Sequence, residues 1–512
     1  MMQQDLKRIA KKSPRLVYLT RKIRKQPPQT LAEIKAELNP EFKPKTDIPI
    51  EYDMNFYANI EERLAKIPES NGGRYYQKYC HKLALICDVF LCKLYKDVAN
   101  TVVLHPDTWQ EQLNGVTLLI VAPVWRGLAG EWTNVSIANS KNAKLVLQII
   151  TYARQNGIKT AFYGKDDPPD YPRFLHVAKQ CEYIFTTDEN SVLRYKTDCQ
   201  HERVFPLMFG VNPLYHNPVG AFNAEKLPHV IFSGSWMDKF PERSRDICTL
   251  FDGVLASNRP LKIIDRNMHE NAEEFRFPER YSKFVSPPIA HETLQKVHKL
   301  YDIAININTV KSSPTMFANR IVELQASGNV LISNESLGVN LHFPEVFTAD
   351  NAGEITKIIN NLTAEQIHER KIRAIRQIMT GNTCFDRYAE ILEKMGLPTI
   401  DQQRKIAIVG NSPKCNIAEE ELAENYEKYD IIAFMDDREY NPFYLEDMCN
   451  VFKFTACDYV TFVENDENLK EIHNYTEICT GKQTSVFWRA AFSLEKLINI
   501  KNGDVLPNGY RI

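Results

Sequence analysis

The hydrophobic pattern of this chain changes period several times. VTLLIVAPV (116–124) is short and apolar throughout, as in a strand buried on both faces of a parallel sheet. An apolar-periodic helix follows at 139–155, then strands at TAFYG (160–164), YIFTTD (183–188) and VFPLM (204–208). The alternation restarts after a Pro/Gly/Asn stretch, HNPVGAFNAEKLP (216–228), that reads as a linker. Strand HVIFSG (229–234), helix 241–257 with Pro241 in its first turn, strand LKIID (261–265), helix 291–301 and strand DIAININ (302–308) come next. A helix at 315–328 ending on Gly328, strand NVLIS (329–333) and further helices lead to about Leu397. This pattern predicts an α/β fold of two parallel-sheet units, 111–220 and 221–398, whose ligand lies at the carboxyl ends of the strands.

The flanks read differently. In RYYQKYCHKLALICDVFLCKLYKDV (74–98) apolar residues recur at three and four, which predicts helix, so 51–110 is expected to be a helical region packing on the first unit. Residues 1–50 are basic and then Pro-rich, an arm and linker. KIAIV (405–409), DIIAFMDD (430–437) and DYVTFV (458–463) predict strands of a small α/β domain over 399–512.

Composition changes this picture little. The chain is 44% hydrophobic and 25% charged, an ordinary globular balance, and its net charge of −2 gives no global attraction to nucleic acid. Locally, nine Lys/Arg stand against Asp5 alone within residues 1–25, either a solvated arm or a peripheral contact for an anionic membrane. None of the eleven cysteines forms a CxxC pair, as expected of a reducing, cytoplasmic compartment. No signal-peptide apolar region opens the chain, and no apolar run approaches the roughly 18 residues of a membrane span. No GxGxxG follows the first strand of either unit, which argues against a dinucleotide enzyme.

Several ordered blocks carry a resemblance: VWRGLAGEW (124–132), KDDPPDY (165–171), EYIFTTDENSVLRYK (182–196), FSGSWMDKFPERSRD (232–246), DRNMHENAEEFRFPE (265–279) and YDIAININTVKSSPTMFANRIVELQASGNVLISN (301–334). Over roughly 115–395 the chain resembles the CgeB-like, group 1 glycosyltransferases. That resemblance implies a GT-B fold of two Rossmann-like lobes, 111–220 on the acceptor side and 221–398 on the nucleotide-sugar donor side. It implies transfer of a sugar to a glycan, lipid-linked glycan or protein acceptor, in surface polysaccharide biosynthesis, without a required cofactor at the GT-B site. FMDDREYNPFYLEDM (434–448), DYVTF (458–462) and SVFWRAAF (485–492) resemble the middle and late blocks of a GT-A domain, whose Mn²⁺- or Mg²⁺-binding aspartates would be Asp436 and Asp437. The early GT-A repeats are compressed into 405–430, so this domain is either a second catalytic site or a degenerate packing domain.

Site roles follow from the resemblance and from the residues. Glu323 takes the place of the glutamate that holds the donor ribose, a task suited to a carboxylate accepting two hydrogen bonds from a diol. Lys239 and Arg243 stand near the Arg/Lys pair that neutralises a leaving diphosphate. Lys311, Ser313 and Thr315 precede the predicted helix 315–328, where free N–H groups favour phosphate and where a hydroxyl also caps. Arg320 on that helix either reaches the diphosphate or faces solvent. The loop Trp125, Arg126, Gly127, Gly130 and Trp132 offers backbone approach and stacking to a sugar or acceptor. Glu131, and Asp167 at the end of TAFYG beside Asp166, are the candidate catalytic bases. Thr315 stands eight residues before Glu323, where many retaining relatives carry a second glutamate, so the stereochemical outcome is open.

Overall fold

The computed structural model describes residues 51–270, 272–463 and 472–512; the arm and linker expected over 1–50, with the lipid contact at 1–25, lie outside the described residues. The chain divides into two compact units, Met1–Asp53 with Phe277–Val285, and Met54–Arg276 with Ser286–Ile512. In the first, Asp53 N–H donates to Val285 O at 2.9 Å and Glu279–Phe284 forms a 3₁₀ turn.

The second unit opens with a parallel sheet: β1 (Tyr79–Ile86), β2 (Ala99–Val103), β3 (Leu118–Val121), β4 (Lys159–Gly164), β5 (Tyr183–Thr186) and β6 (Val204–Pro206), in the order β2-β1-β3-β4-β5-β6. The helix expected over 74–98 is therefore corrected. Its first half is β1, and only Val89–Tyr95 is helical. The apolar residues of KLALI satisfy either period locally. Pairing with β2 and β3 decides for the strand, because both of its faces are covered: Leu83 and Leu85 face one cluster, Ala84 and Ile86 the other.

The next sheet holds β7 (Val230–Gly234), β8 (Leu261–Asp265), β10 (Ile303–Asn306), β11 (Val330–Ser333) and β12 (Phe347–Thr348), in the order β12-β11-β10-β7-β8; a two-residue strand, β9 (Val285–Ser286), straddles the boundary of the units. In each sheet the first strand lies between its sequence successor and a later strand. Helices leave such neighbouring strands on opposite faces and open a crevice at their carboxyl ends. Asn382, Thr383 and Cys384 pair with Val211, and helix Cys384–Met395 crosses back to bury Cys384, Tyr388, Ile391 and Leu392 in the core of the first lobe. This is the two-lobed GT-B arrangement.

The stretch 216–228 is not a free tether. His216–Ala221 are buried, Lys299 Nζ donates to Val219 O at 2.8 Å, and Lys226 Nζ donates to Lys299 O at 2.7 Å. Lys226 Nζ also donates to Ala221 O at 2.5 Å, so the two lysines satisfy carbonyls of Val219 and Ala221 that a buried loop would otherwise leave unpaired.

The last sheet is mixed: β13 (Ile406–Val409), β14 (Ile431–Phe434), β15 (Tyr459–Thr461), β16 (Asn474–Ile478), β17 (Ser485–Trp488) and β18 (Val505–Arg511), in the order β13-β14-β17-β15-β18-β16. Its helix Tyr444–Val451 lies against helix Ala364–Gly381 of the second lobe, where Arg376 forks onto Asp447 (2.7 and 2.6 Å) and Lys453 Nζ donates to Met379 O at 2.6 Å. Ile375, Ile378 and Met379 share one buried cluster with Met448 and Phe452. No helix among the described residues is long and apolar enough to cross a membrane.

Candidate functional site

Two crevices arise from the strand orders, and the residues at each are fixed by backbone hydrogen bonds. Just beyond β1, Asp88 accepts the N–H groups of Trp125 (3.0 Å), Arg126 (3.0 Å) and Gly127 (2.8 Å), holding the loop after β3 over the carboxyl end of the first sheet. Asp88 was hidden in the sequence because its neighbourhood reads as helix interior. Gly127 (φ +82°) and Gly130 (φ +99°) supply the turn. The Trp125 indole N–H donates to Asp166 Oδ2 at 3.4 Å, and its ring meets Phe174 edge-on at 5.3 Å. Exposed Arg126 pairs with Glu270 of the second lobe at 2.7 Å. Trp132 departs from the expectation of sugar stacking: it is wholly buried and donates to Leu104 O at 2.9 Å.

Both expected bases are engaged elsewhere. Glu131 closes its own turn, accepting from Leu128 N (2.9 Å) and Ala129 N (2.7 Å). Burial works against its ionised form, but these N–H groups prevail and hold the carboxyl below its ordinary range, which weakens it as a base. Asp167 is buried behind Gly164 and accepts from Thr186 Oγ1 (2.7 Å) and Tyr195 OH (3.2 Å). Burial pushes it up to about 7 against those two hydrogen bonds. It turns into the lobe because the hydroxyls of Thr186 and Tyr195 meet its carboxylate there.

At the crevice of the second sheet, between β7 and β10, three guanidinium groups converge. Arg243, buried in the first turn of helix Pro241–Leu255, donates to Ser235 O at 2.9 Å. Arg266, just beyond β8, reaches Ser235 Oγ at 3.3 Å. Arg320 opens helix Arg320–Ala326. Burial lowers all three; repulsion from neighbouring arginines adds to it for Arg243 and Arg320, which fall to about 10, while Asp166 and Asp265 oppose it for Arg266. None forms a salt bridge among the described residues; the carboxylates acting on them, Asp166, Asp265 and Glu323, act without ion-pair contact. Arg266 was not singled out from the sequence, although it directly follows LKIID at a strand's carboxyl end, which is the usable signal.

The remaining donor candidates divide. Glu323 is buried beside Arg320, its Oε1 has no hydrogen-bond partner among the described residues, and it lies 3.5 Å from His216 Nε2. Burial pushes it up to about 7, with Arg320 opposing. Lys239 is exposed outside the arginine cluster, its ammonium 4.8 Å from the Phe240 ring centre. Lys311 is paired with Asp246 at 2.9 Å. The helix expected from 315 begins at Arg320 instead. Asn308 accepts Ala318 N–H at 2.8 Å and Asn334 accepts Asn308 N–H at 2.7 Å, which holds the preceding segment irregular. Ser313 accordingly caps a local turn, accepting from Met316 N at 3.0 Å, while Thr315 joins the lobes by donating to Thr187 O (2.8 Å) and accepting from Glu189 N (2.9 Å).

Two groups of side chains have the ligand types of a metal site. Asp436 is forked by Arg438 (2.8 and 2.9 Å) and accepts from Tyr440 at 3.1 Å, and Asp437 is exposed. An arginine already neutralises the carboxylate a divalent ion would need, so this pair does not fit Mn²⁺ or Mg²⁺. His216, His291 and Glu323 place ligand atoms within 4.8 Å of one another. Lys93, Lys299 and Arg320 act on the same three residues, and that cationic surround favours a ligand with negative charge or a neutral diol over a dication. A groove of 570 Å³ lined by Phe347, Ile358, Leu362 and Arg370 lies on the outer helices of the second lobe and shares no residue with the arginine cluster.

No protein-family model and no curated protein sequence matches the chain. Among solved structures it is similar to an alpha-glucosyltransferase in complex with UDP and a 13-mer DNA containing an HMU base (9% identity, 62% of this chain, 100% of that chain, TM-score 0.44). It is also similar to T4 phage BGT in complex with its UDP-glucose substrate (11%, 62% and 100%, TM-score 0.41). A glycosyltransferase from Rickettsia africae matches at 12% identity over 62% of this chain and 98% of that chain, with a TM-score of 0.39. Likenesses of this depth bear on neither activity nor substrate.

Proposed function

We propose that the chain is a glycosyltransferase that draws a sugar from a nucleotide-linked donor bound at the second lobe. The observation that carries this reading is the convergence of Arg243, Arg266 and Arg320, without ion-paired carboxylates, at the carboxyl end of β7. Crowded guanidinium groups repel one another and call for an anion, and the crevice at a switch of strand order is where an α/β sheet binds one. A nucleoside diphosphate supplies that charge. Glu323, with an unpartnered carboxylate oxygen beside Arg320, would accept the ribose hydroxyls. Fixed arginines would then stabilise the departing diphosphate, as positioned charge does in a low-dielectric cleft. The acceptor would enter from the first lobe, over the Trp125–Gly130 loop. A glycan, lipid-linked glycan or protein of a surface-polysaccharide route is the acceptor class that agrees with the resemblance over 115–395.

The test is thermal stabilisation by UDP-, GDP-, ADP- and CMP-linked sugars, since a ligand that binds only the folded chain raises its melting temperature. One diphosphate-linked donor is expected to stabilise the protein. Arg243→Ala, Arg266→Ala or Arg320→Ala should each weaken it about 10- to 100-fold, the worth of a charge-assisted hydrogen bond. A chain stabilised by no member of the panel would end this reading.

A further inference from the structure

Asp166 stands two residues beyond the carboxyl end of β4 on the first lobe, and its two carboxylate oxygens are treated unequally. Oδ2 accepts from Lys165 Nζ at 2.6 Å and from the Trp125 indole at 3.4 Å, whereas Oδ1 has no hydrogen-bond partner among the described residues. The side chain is 31% exposed, enough for a substrate to reach it. Asp166 also attracts Arg266 from the opposite lobe, and the neighbouring Arg126–Glu270 pair ties the Trp125 loop to the segment that carries Arg266. Lys165, Asp167, Asp170 and Arg266 are the charged groups that face it.

The other carboxylates on the first-lobe side of this crevice are turned inward, close loops or pair with an arginine. Asp88 holds the loop after β3, Glu131 closes a turn and Asp167 is buried on Thr186 and Tyr195. Asp188 accepts from Ser191 and Asn190, and Asp170 pairs with Arg173 at 3.4 Å. We propose that Asp166 is the general base of the transfer, an assignment that rests on the glycosyl-transfer reading. Its Oδ1 takes the acceptor hydroxyl proton as the acceptor oxygen bonds to the anomeric carbon. The bond from that carbon to the donor phosphate oxygen breaks, and its electron pair leaves on the diphosphate held by Arg243, Arg266 and Arg320. A single displacement of this kind inverts the anomeric centre.

Water can replace the acceptor, so the test needs no acceptor in hand. The stabilising donor from the nucleotide-sugar panel is incubated with the full chain and with its Asp166→Asn variant. Nucleoside diphosphate release, the configuration of the freed sugar by proton NMR, and donor affinity by melting shift are measured. The variant is expected to keep donor affinity within about threefold and to lose kcat by about a hundredfold or more. Turnover within tenfold of wild type, a freed sugar that keeps the donor configuration, or a wild type that binds donor but releases no diphosphate would each overturn the base assignment while leaving donor binding intact. A wild type that binds no donor would instead remove the transfer reading itself.

Discussion

Three carboxyls at strand ends or beside the arginines are raised by burial: Glu323 and Asp167 to about 7, and Asp265 to about 6. For Glu323 the sign runs against stability at high pH. The folded chain holds the proton more tightly than the unfolded one, so this contribution is full below about pH 4.5 and is lost as pH rises through about 7. Glu323→Gln should therefore stabilise the ligand-free protein above pH 7 by about 1–2 kcal/mol, a figure below the full shift because a buried amide is left partly unpaired. The gain should vanish below pH 4.5, and donor affinity should fall in the same variant. Melting curves at pH 8 and pH 4.5 check this, and an equal effect at both would refute it. Glu323 and Arg243 were legible in the sequence, because a helix glutamate before NVLIS and an arginine after FSGSW sit where the resemblance puts donor contacts. Asp88 was not, since its role depends on which strand ends lie side by side; Arg266 has only the weak signal of its place after LKIID.

Loops rather than helices decide the site at the next scale. The segment after β3 is held by Asp88 from outside and by Glu131 from within, and Gly127 is the pivot of both. A Cβ at Gly127 would stand 2.6 Å from Glu131 Oε1 on a backbone already at φ +82°. Gly127→Ala should cost about 1–2 kcal/mol from backbone strain alone, measured by chemical denaturation, with the Trp125 environment altered in fluorescence. Unchanged stability and emission would mean that the turn does not need glycine. The segment 308–319 tells the same lesson from the other lobe. Its apolar spacing predicts helix from 315, but Asn308, Asn334 and the buried Phe317 fix it as a loop, and Thr315 is left to bridge to Thr187 and Glu189. Side-chain hydrogen bonds that compete with the helix ladder come from residues distant in sequence, so a local period does not register them.

The whole molecule is less divisible than its three sheets suggest. The C-terminal domain shares a buried cluster with helix Ala364–Gly381, and residues 74–75 donate to Phe452 O. A chain ending at 398 would expose Ile375, Ile378 and Met379, each worth about 1.5–3 kcal/mol of burial, and would strip Arg376 of Asp447. Such a truncation is expected to be insoluble or to bind a hydrophobic dye with a broadened melt. A soluble monomer with the full chain's melting temperature would show that the domain is dispensable to the fold. The packing and the Arg438 fork on Asp436 both favour a structural role for this domain over a second catalytic centre.

The sequence alone determined the strand and helix alternation from 116 to 397, and with it β3 to β6 of the first sheet and β7, β8, β10 and β11 of the second, because uninterrupted apolar runs and their punctuation are local properties of the chain. Only the tertiary structure decided that 79–86 is a strand, that Asp167 and Trp132 turn inward while Asp166 stays open, and that Arg266 joins Arg243 and Arg320. Those outcomes depend on which strands pair and which carboxylates find buried donors, and both are set by contacts between residues far apart in the sequence.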